Sequence, residues 1–236
     1  LTVSETRIRF FVTDAHPCSY LEDQQASTLF IDPDHKVNAE IYSQLSRNGF
    51  RRSGSHIYRP HCGVCEACIP IRTIVNTFSP NRRMRRIEKR NRDIDVNFCA
   101  VINRDEHYAV YEQYINQRHL NGDMFPASRE QFDSFLSSEW GVTYFIEYRL
   151  NGELIGASVT DVMDDGLSAI YTYFQPSCEK RSLGVFAILT QLKLCAEREL
   201  PYLYLGYWIK ACQKMAYKIE YRPCQVRVNE RWVTLT

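Results

Sequence analysis

The sequence predicts a mixed α/β protein, and three observations in its last hundred residues predict it. Val142–Arg149 and Glu153–Met163 read as two strands joined at Asn151-Gly152, the dipeptide favoured in two-residue hairpins. Leu167–Phe174 reads as a third strand. Ser182–Arg198 has the length of a helix but is apolar on most sides (Leu183, Phe186, Ile188, Leu189, Leu192, Cys195), so it must lie buried against a sheet.

The elements follow in order. Thr6–Thr13 reads as a strand, with Ile8, Phe10 and Val12 alternating against polar or exposed positions. Val37–Arg47 looks helical, stopped by Asn48-Gly49. Phe50–Tyr58 is a hairpin around Ser53-Gly54, and Ile69–Val75 is a second extended run. A helix opens at Ser79-Pro80, with serine as the cap and proline at the first helical position. A strand at Asp95–Ile102 and a helix from Asp105 to about Leu120, ended by Asn121-Gly122, come next. Ser128 with Gln131 forms a capping box for a further helix to about Ser138. After the buried helix, Tyr202–Leu205 is a short strand, Ala211–Tyr217 a short helix, and the rest is extended. Residues 1–78 are expected to form a cysteine-bearing N-terminal region, and 79–236 a second region that begins with the basic helix 80–92.

That helix is the densest charge in the chain. Arg82, Arg83, Arg85, Arg86, Lys89, Arg90 and Arg92 accompany a single acid, Glu88, and all seven cations fall within about half of the circumference. Met84 and Ile87, one turn apart, make the docking edge. The whole chain is formally +1, so the remainder is net acidic and the cations are localised. A solvated face is the ordinary reading of a charge run. Seven like charges with almost no i,i+4 acid repel one another, which favours a polyanion-binding surface instead.

Cys62, Cys65 and Cys68 follow a C-x2-C-x2-C spacing that lets three thiols share one ion. Cys18 is the first choice for a fourth ligand, with His61 and His16 behind it. Thiolates suit zinc or an iron–sulfur cluster, and spacing does not choose between them. Reduced thiols without metal are the alternative. Nine cysteines, an odd number, fit a reducing cytoplasm better than a disulfide scaffold. No run of about 18 apolar residues and no signal-peptide pattern stands out, so no membrane partner is expected. With 15 Tyr and 12 Phe the chain is a folded protein.

Antiparallel strands, a loop, a buried helix and another strand make an acyltransferase-like layout whose order is shared with the GNAT fold. In GNAT proteins the loop opening the central helix binds pyrophosphate through R/Q-x-x-G-x-G/A. Here Arg181 and Gly184 match, but Phe186 stands where a small residue is needed, which counts against coenzyme A. On the neighbouring strands, alternation puts Asp161 on the face of Ile155, Ala157 and Val159, and sets Tyr171 and Tyr173 on one face. These are candidates to orient or deprotonate an attacking amine; a structural hydrogen-bond network is the other reading. Lys214 and Lys218, one turn apart, follow Gly206-Tyr207-Trp208 and are placed to meet an acidic group, or are simply exposed. No Ser-His-Asp set, Walker loop or HExxH is present.

HPCSYL (His16–Leu21), NGFRRSG (Asn48–Gly54), YRPHCGVCEACIPIR (Tyr58–Arg72), DGLSAIYTYFQP (Asp165–Pro176), RSLGVFAIL (Arg181–Leu189) and YLYLGYWIKACQKMAYK (Tyr202–Lys218) together resemble the arginyl-tRNA–protein transferase family, closest to its bacterial aspartate/glutamate leucyltransferase branch. The resemblance spans nearly the whole chain. It implies transfer of leucine from leucyl-tRNA to proteins that begin with Asp or Glu, tagging them for N-degron proteolysis. It also implies a GNAT-like C-terminal region and makes Cys18, Cys62, Cys65 and Cys68 candidates for a zinc or iron–sulfur site, while transfer itself requires no cofactor. Arg82, Arg83, Arg85, Arg86, Lys89 and Arg90 would then hold tRNA. Arg181, Tyr204, Tyr207, Lys214 and Lys218 would line the substrate site, and Asp161, Tyr171 and Tyr173 the catalytic one. Arginine as the transferred residue, a coenzyme A-dependent acetyltransferase and a non-enzymatic RNA-binding protein stay open beside it.

Overall fold

The computed structural model describes residues 8–236 except Asn121, Asp123, Ser137 and Glu139. Its elements are β1 (Phe10–Val12), β2 (His16–Pro17), β3 (Gln25–Ala26), β4 (Thr28–Ile31), α1 (Ala39–Arg47), β5 (Arg51–Ser53), β6 (His56–Pro60) and β7 (Ile69–Ile74). Then come α2 (Arg82–Arg90), β8 (Ile94–Cys99), α3 (Arg104–Arg118), α4 (Arg129–Leu136), β9 (Thr143–Leu150), β10 (Glu153–Met163) and β11 (Gly166–Phe174). The last are α5 (Leu183–Glu197), β12 (Tyr202–Trp208), α6 (Gln213–Ala216), β13 (Cys224–Val228) and β14 (Arg231–Leu235).

One eight-stranded sheet, in the order β14-β13-β7-β12-β11-β10-β9-β8, organises the molecule. Every neighbouring pair is antiparallel except β11 and β12, which run parallel because α5 crosses over between them. Asn151 and Gly152 take φ of 52° and 86°, the left-handed pair that a two-residue hairpin demands, so β9 and β10 are joined as expected. β7 lies in the stretch expected to form the N-terminal region, yet it is hydrogen-bonded between β12 and β13. The remaining N-terminal strands form a smaller sheet, β1-β4-β6-β5, beside the β2–β3 hairpin.

Alternation along the strands sends side chains into two layers. Leu203, Leu205, Ile71 and Val226 pack with Ile188, Leu189 and Leu192 of α5, and Met84 of α2 joins them. Leu154, Ala157, Val159 and Tyr173 pack instead with Val110, Tyr111 and Ile115 of α3 and Phe132 of α4. A bulge at Leu154/Gly156 turns Ile155 towards Leu183 and Phe186, so Ile155 does not share the face of Ala157 as strict alternation requires. Tyr42 and Leu45 of α1 complete a third cluster with Ile57, Met163 and Tyr204, seating the small sheet on the large one.

Three local expectations are corrected. The cap of α2 is Asn81, whose side chain accepts from the Met84 N–H, not Ser79; Pro80 therefore precedes the cap. An Asn cap is worth roughly 1 kcal/mol. Phe10 and Val12 are exposed, so the inward stripe predicted for the first strand is absent; Thr6 and Arg7 lie outside the described residues. In α4 only half of the capping box forms: Ser128 accepts from the Gln131 N–H, but the Gln131 side chain accepts from Tyr111 Oη instead of reaching back.

Candidate active site

The parallel pair β11–β12 is in register only at Gly166–Ser168 with Tyr202–Tyr204. Beyond Ser168 and Tyr204 both strands continue, to Phe174 and Trp208, with no pairing between them. Their edges therefore diverge into a wedge, and backbone carbonyls that face it need donors. Two cations supply them. Arg51 of β5 donates from Nη1 to Ser168 Oγ at 2.8 Å and from Nη2 to the Ala169 carbonyl at 2.7 Å. Lys218 donates from Nζ to the Tyr207 carbonyl at 2.8 Å.

Gly206 makes this packing possible. Its φ of +81° is a glycine conformation, and a Cβ there would stand 3.1 Å from Arg51 Nε. The register shift at Tyr204/Gly206 also sets the facing of the tyrosines. Tyr204 and Tyr207, three residues apart, both turn towards the N-terminal layer. Tyr204 Oη accepts from Arg72 at 2.7 Å and donates to Asp165 at 2.9 Å, while Tyr207 Oη donates to the Gly49 carbonyl at 2.9 Å.

Lys218 is buried, at 7% exposure, which excludes the reading of an exposed lysine pair; Lys214 alone is exposed. Burial, followed by repulsion from Arg51, lowers the Lys218 ammonium to about 7. Arg51 was not singled out from the sequence, where it is one of two adjacent arginines at the start of a short strand.

Asp161 lies elsewhere than the wedge floor. It is fully buried, and four hydrogen bonds occupy its carboxylate: Arg52 Nε at 2.6 Å and Nη2 at 2.7 Å, Tyr42 Oη at 2.6 Å and Thr143 Oγ1 at 2.8 Å. Filled and enclosed in this way, it ties α1 and β5 to β10 and offers no free lone pair to an incoming amine. Tyr173 is likewise enclosed. Its hydroxyl donates to His107 Nδ1 at 2.6 Å, and His107 Nε2 donates to Glu147 at 2.9 Å, an assignment that fixes the neutral Nε2–H tautomer. Burial lowers His107, in keeping with that neutral form, and raises Tyr173 well above the usual phenol range. Tyr171 shares the face of Tyr173, as expected, and is only half-buried, among Phe135, Tyr114 and Tyr111. The structural-network reading thus describes Asp161 and Tyr173.

Arg181 pairs bidentately with Asp93 at 2.9 Å and sits beside Arg90, whose guanidinium donates to the Lys180 carbonyl. It belongs to the basic surface, not the wedge. Phe186 is buried, with its ring 5.7 Å from that of Tyr148, so the α5 N-terminus holds an aromatic side chain where a phosphate would need room. On α2 all of the predicted cations are exposed while Met84 and Ile87 are buried, which bears out the docking edge. Arg83 reaches Glu220 at 3.0 Å, two residues from Lys218, so the basic helix abuts the wedge.

Cys18, Cys62, Cys65 and Cys68 gather at one place. The Cys68 thiol is pushed up to about 12 by burial and then by Cys62, Cys18 and Cys65. Clustered thiols that resist ionisation are a donor set that a thiophilic cation would deprotonate, so the residues fit such an ion in kind. Among the described residues no three His, Cys, Asp or Glu side chains stand in a metal-holding arrangement.

Comparison with known proteins decides the family. The model for the arginine-tRNA-protein transferase N terminus matches residues 16–86, and that for its C terminus residues 106–228. The aspartate/glutamate leucyltransferase of Teredinibacter turnerae is 51% identical over 97% of this chain and 95% of its own. That of Stutzerimonas stutzeri is 51% identical over 99% of both, and that of Alcanivorax borkumensis 53% identical over 95% and 93%. The chain belongs to the arginine-tRNA-protein transferase family. Its bacterial leucyltransferase branch is where these relatives fall. A solved structure, L-PGS from Bacillus licheniformis, aligns with TM-score 0.45 and 11% identity over 61% of this chain and 47% of that one. In this family member the wedge and the thiol cluster lie within matched segments, and the basic helix runs on past the first of them. No helix among the described residues is long and apolar enough to cross a membrane.

Proposed function

We propose that this protein transfers leucine from leucyl-tRNA to the α-amine of proteins whose first residue is Asp or Glu. The observation that carries the reading is identity of about half of all positions, over nearly the full length, with relatives named for that activity. The consequence for such acceptors is N-degron proteolysis. The parallel β11–β12 pair with α5 crossing between them supports the GNAT-like description of the C-terminal part.

The chemistry is aminolysis of an ester. The acceptor nitrogen attacks the leucyl carbonyl, an amide C–N bond forms, and the ester C–O bond breaks. The amine gives up a proton, and the departing ribose oxygen takes one up. An α-amine with pKa near 8 is already partly neutral at working pH, so the protein's task is to position it and to stabilise the oxyanion. The wedge is the site for this step. It is polar on its floor, has Tyr217 close to Arg51 and to Tyr114, whose ring packs on Tyr171, and is joined to the basic helix through Arg83 and Glu220. Arg82, Arg83, Arg85, Arg86, Lys89 and Arg90 hold tRNA phosphates, which brings the charged 3′ end to Lys218's side of the molecule. Tyr171, half-buried and free of the relay that engages Tyr173, is the tyrosine best placed to meet the substrates. Cys18, Cys62, Cys65 and Cys68 would hold a zinc ion or iron–sulfur cluster, which would brace the segment leading into β7.

The deciding experiment is transfer of radiolabelled leucine or arginine from charged tRNA to matched peptides beginning with Asp, Glu, Lys or Ala. Leucine entering only the Asp and Glu peptides supports the reading. Arginine entering instead reassigns the donor, and tight tRNA binding without transfer of either defeats it.

A further inference from the structure

The two buried arginines among the described residues pair with carboxylates, and so does the half-buried Arg149. Arg52 has Asp161 at 2.6 Å, Arg72 has Asp165 at 3.6 Å, and Arg149 has Glu106 and Glu147, each at 2.7 Å. The half-buried Arg51 and the buried Lys218 do not pair in this way. Arg51 meets only the Ser168 hydroxyl and the Ala169 carbonyl, and Lys218 only the Tyr207 carbonyl and the Met215 sulfur. Neither forms an ion pair among the described residues. They are also neighbours. The Arg51 guanidinium lies against Gly206, and Lys218 is bonded to the carbonyl of the next residue, Tyr207.

A buried ammonium beside a half-buried guanidinium, with only neutral acceptors, is costly to hold; the cost is repaid when an anion enters. Each still has donors to give, since a guanidinium carries five N–H bonds and an ammonium three. The fork of Arg51 matches a carboxylate, and Lys218 adds a point charge beside it. The long exposed row of cations on α2 already serves an extended polyanion. The single pair set against β11, β12 and the segment after α6 suits one small acidic group.

Resting on the transferase reading above, we propose that Arg51 and Lys218 together form the receptor for the acidic side chain of the acceptor's first residue. The carboxylate sits between guanidinium and ammonium in the wedge, and the α-amine on the same residue is thereby held at the mouth, towards the leucyl ester. Asn and Gln, of the same shape without the charge, leave both cations uncompensated and are rejected.

The test compares KM and kcat for peptides beginning with Asp, Glu, Asn and Gln in the wild type, Lys218→Gln, Lys218→Arg and Arg51→Gln, with KM for leucyl-tRNA measured in each. A charge-assisted hydrogen bond lost from a desolvated site predicts that Lys218→Gln raises KM for the Asp peptide by about 10- to 100-fold. KM for leucyl-tRNA stays put, and Lys218→Arg restores most of the preference for Asp over Asn. Arg51→Gln behaves as Lys218→Gln does; should it fail to fold, because Arg51 also holds Ser168 and Ala169, the two Lys218 variants decide. A folded Lys218→Gln protein with unchanged Asp-over-Asn discrimination overturns the receptor and leaves the transferase standing. A rise in leucyl-tRNA KM with unchanged peptide KM overturns it too, by assigning the cations to nucleic acid. A wild-type protein that leucylates no acidic peptide removes the transferase reading and the receptor together.

Discussion

Arg52 and Asp161, 109 residues apart in the chain, meet through two hydrogen bonds of 2.6 and 2.7 Å with neither side chain exposed. They join the first strand after α1 to the C-terminal end of β10, on which the small sheet rests. Asp161→Ala leaves the Arg52 charge buried and unpaired, which costs about 3–5 kcal/mol. Urea unfolding should register that loss as a lower midpoint. Any protein that stays folded should retain kcat, which a catalytic Asp161 would not allow.

The Lys218 ammonium, lowered to about 7 by burial and by Arg51, sets a pH dependence. Arg51 from β5 faces it, with Cys212 ahead of α6 and Cys68 ahead of β7. As pH rises through about 7 the free enzyme loses the cation that the acceptor's carboxylate needs. KM for Asp-start peptides should therefore climb from pH 7 to 9, and peptide binding should take up a proton. Isothermal titration in buffers of differing ionisation heat measures that uptake directly.

His107 gives a stability prediction of definite sign. Burial holds it below its ordinary value, so the unfolded chain binds a proton near pH 6 that the folded one refuses. At Glu147 burial works against the charge, yet bonds from Arg149 and His107 win and hold the carboxyl below its ordinary value. Both groups contribute stability present at neutral pH and lost as pH falls, His107 from about 6.5 downwards and Glu147 from about 4.5. Thermal midpoints should decline below pH 6.5 and do so less steeply in His107→Gln, which is itself less stable because Tyr173 and Glu147 lose a partner.

Arg82, Arg86 and Lys89 point from α2 into solvent without ion pairs among the described residues. Changing all three to Gln should weaken tRNA binding and reduce the slope of log K against log salt by roughly two to three, while the melting temperature moves little. An unchanged slope would place the polyanion elsewhere.

What was legible in the sequence was local. Asn151-Gly152 announces its own turn, Met84 and Ile87 mark the buried edge of α2, and the all-round apolar α5 had to be central. What was not legible depends on partners far along the chain. Asp161 looked like a chemical group because its strand is visible and its four donors, from α1, β5 and β9, are not. Tyr173 was hidden in the same way by His107 on α3. Arg51 and Arg52 are adjacent and alike in sequence; one is neutralised by a carboxylate on β10 and the other left facing the wedge, a difference made by the strand's pleat. Even the facing of Ile155 and Tyr207 hangs on single-residue bulges that shift the alternation.

β7 is threaded between two strands that the ribosome makes more than 120 residues later, with Ile69 opposite Trp208 and Ile71 opposite Val226. The sheet cannot close until residues 202–228 have emerged, so β7 waits until then with its two edges unmet. Neither half is a module that can be borrowed on its own. Severed in the loop after β7, the two pieces would be a split protein whose wedge exists only when both are present, and they would have to find each other through that one strand.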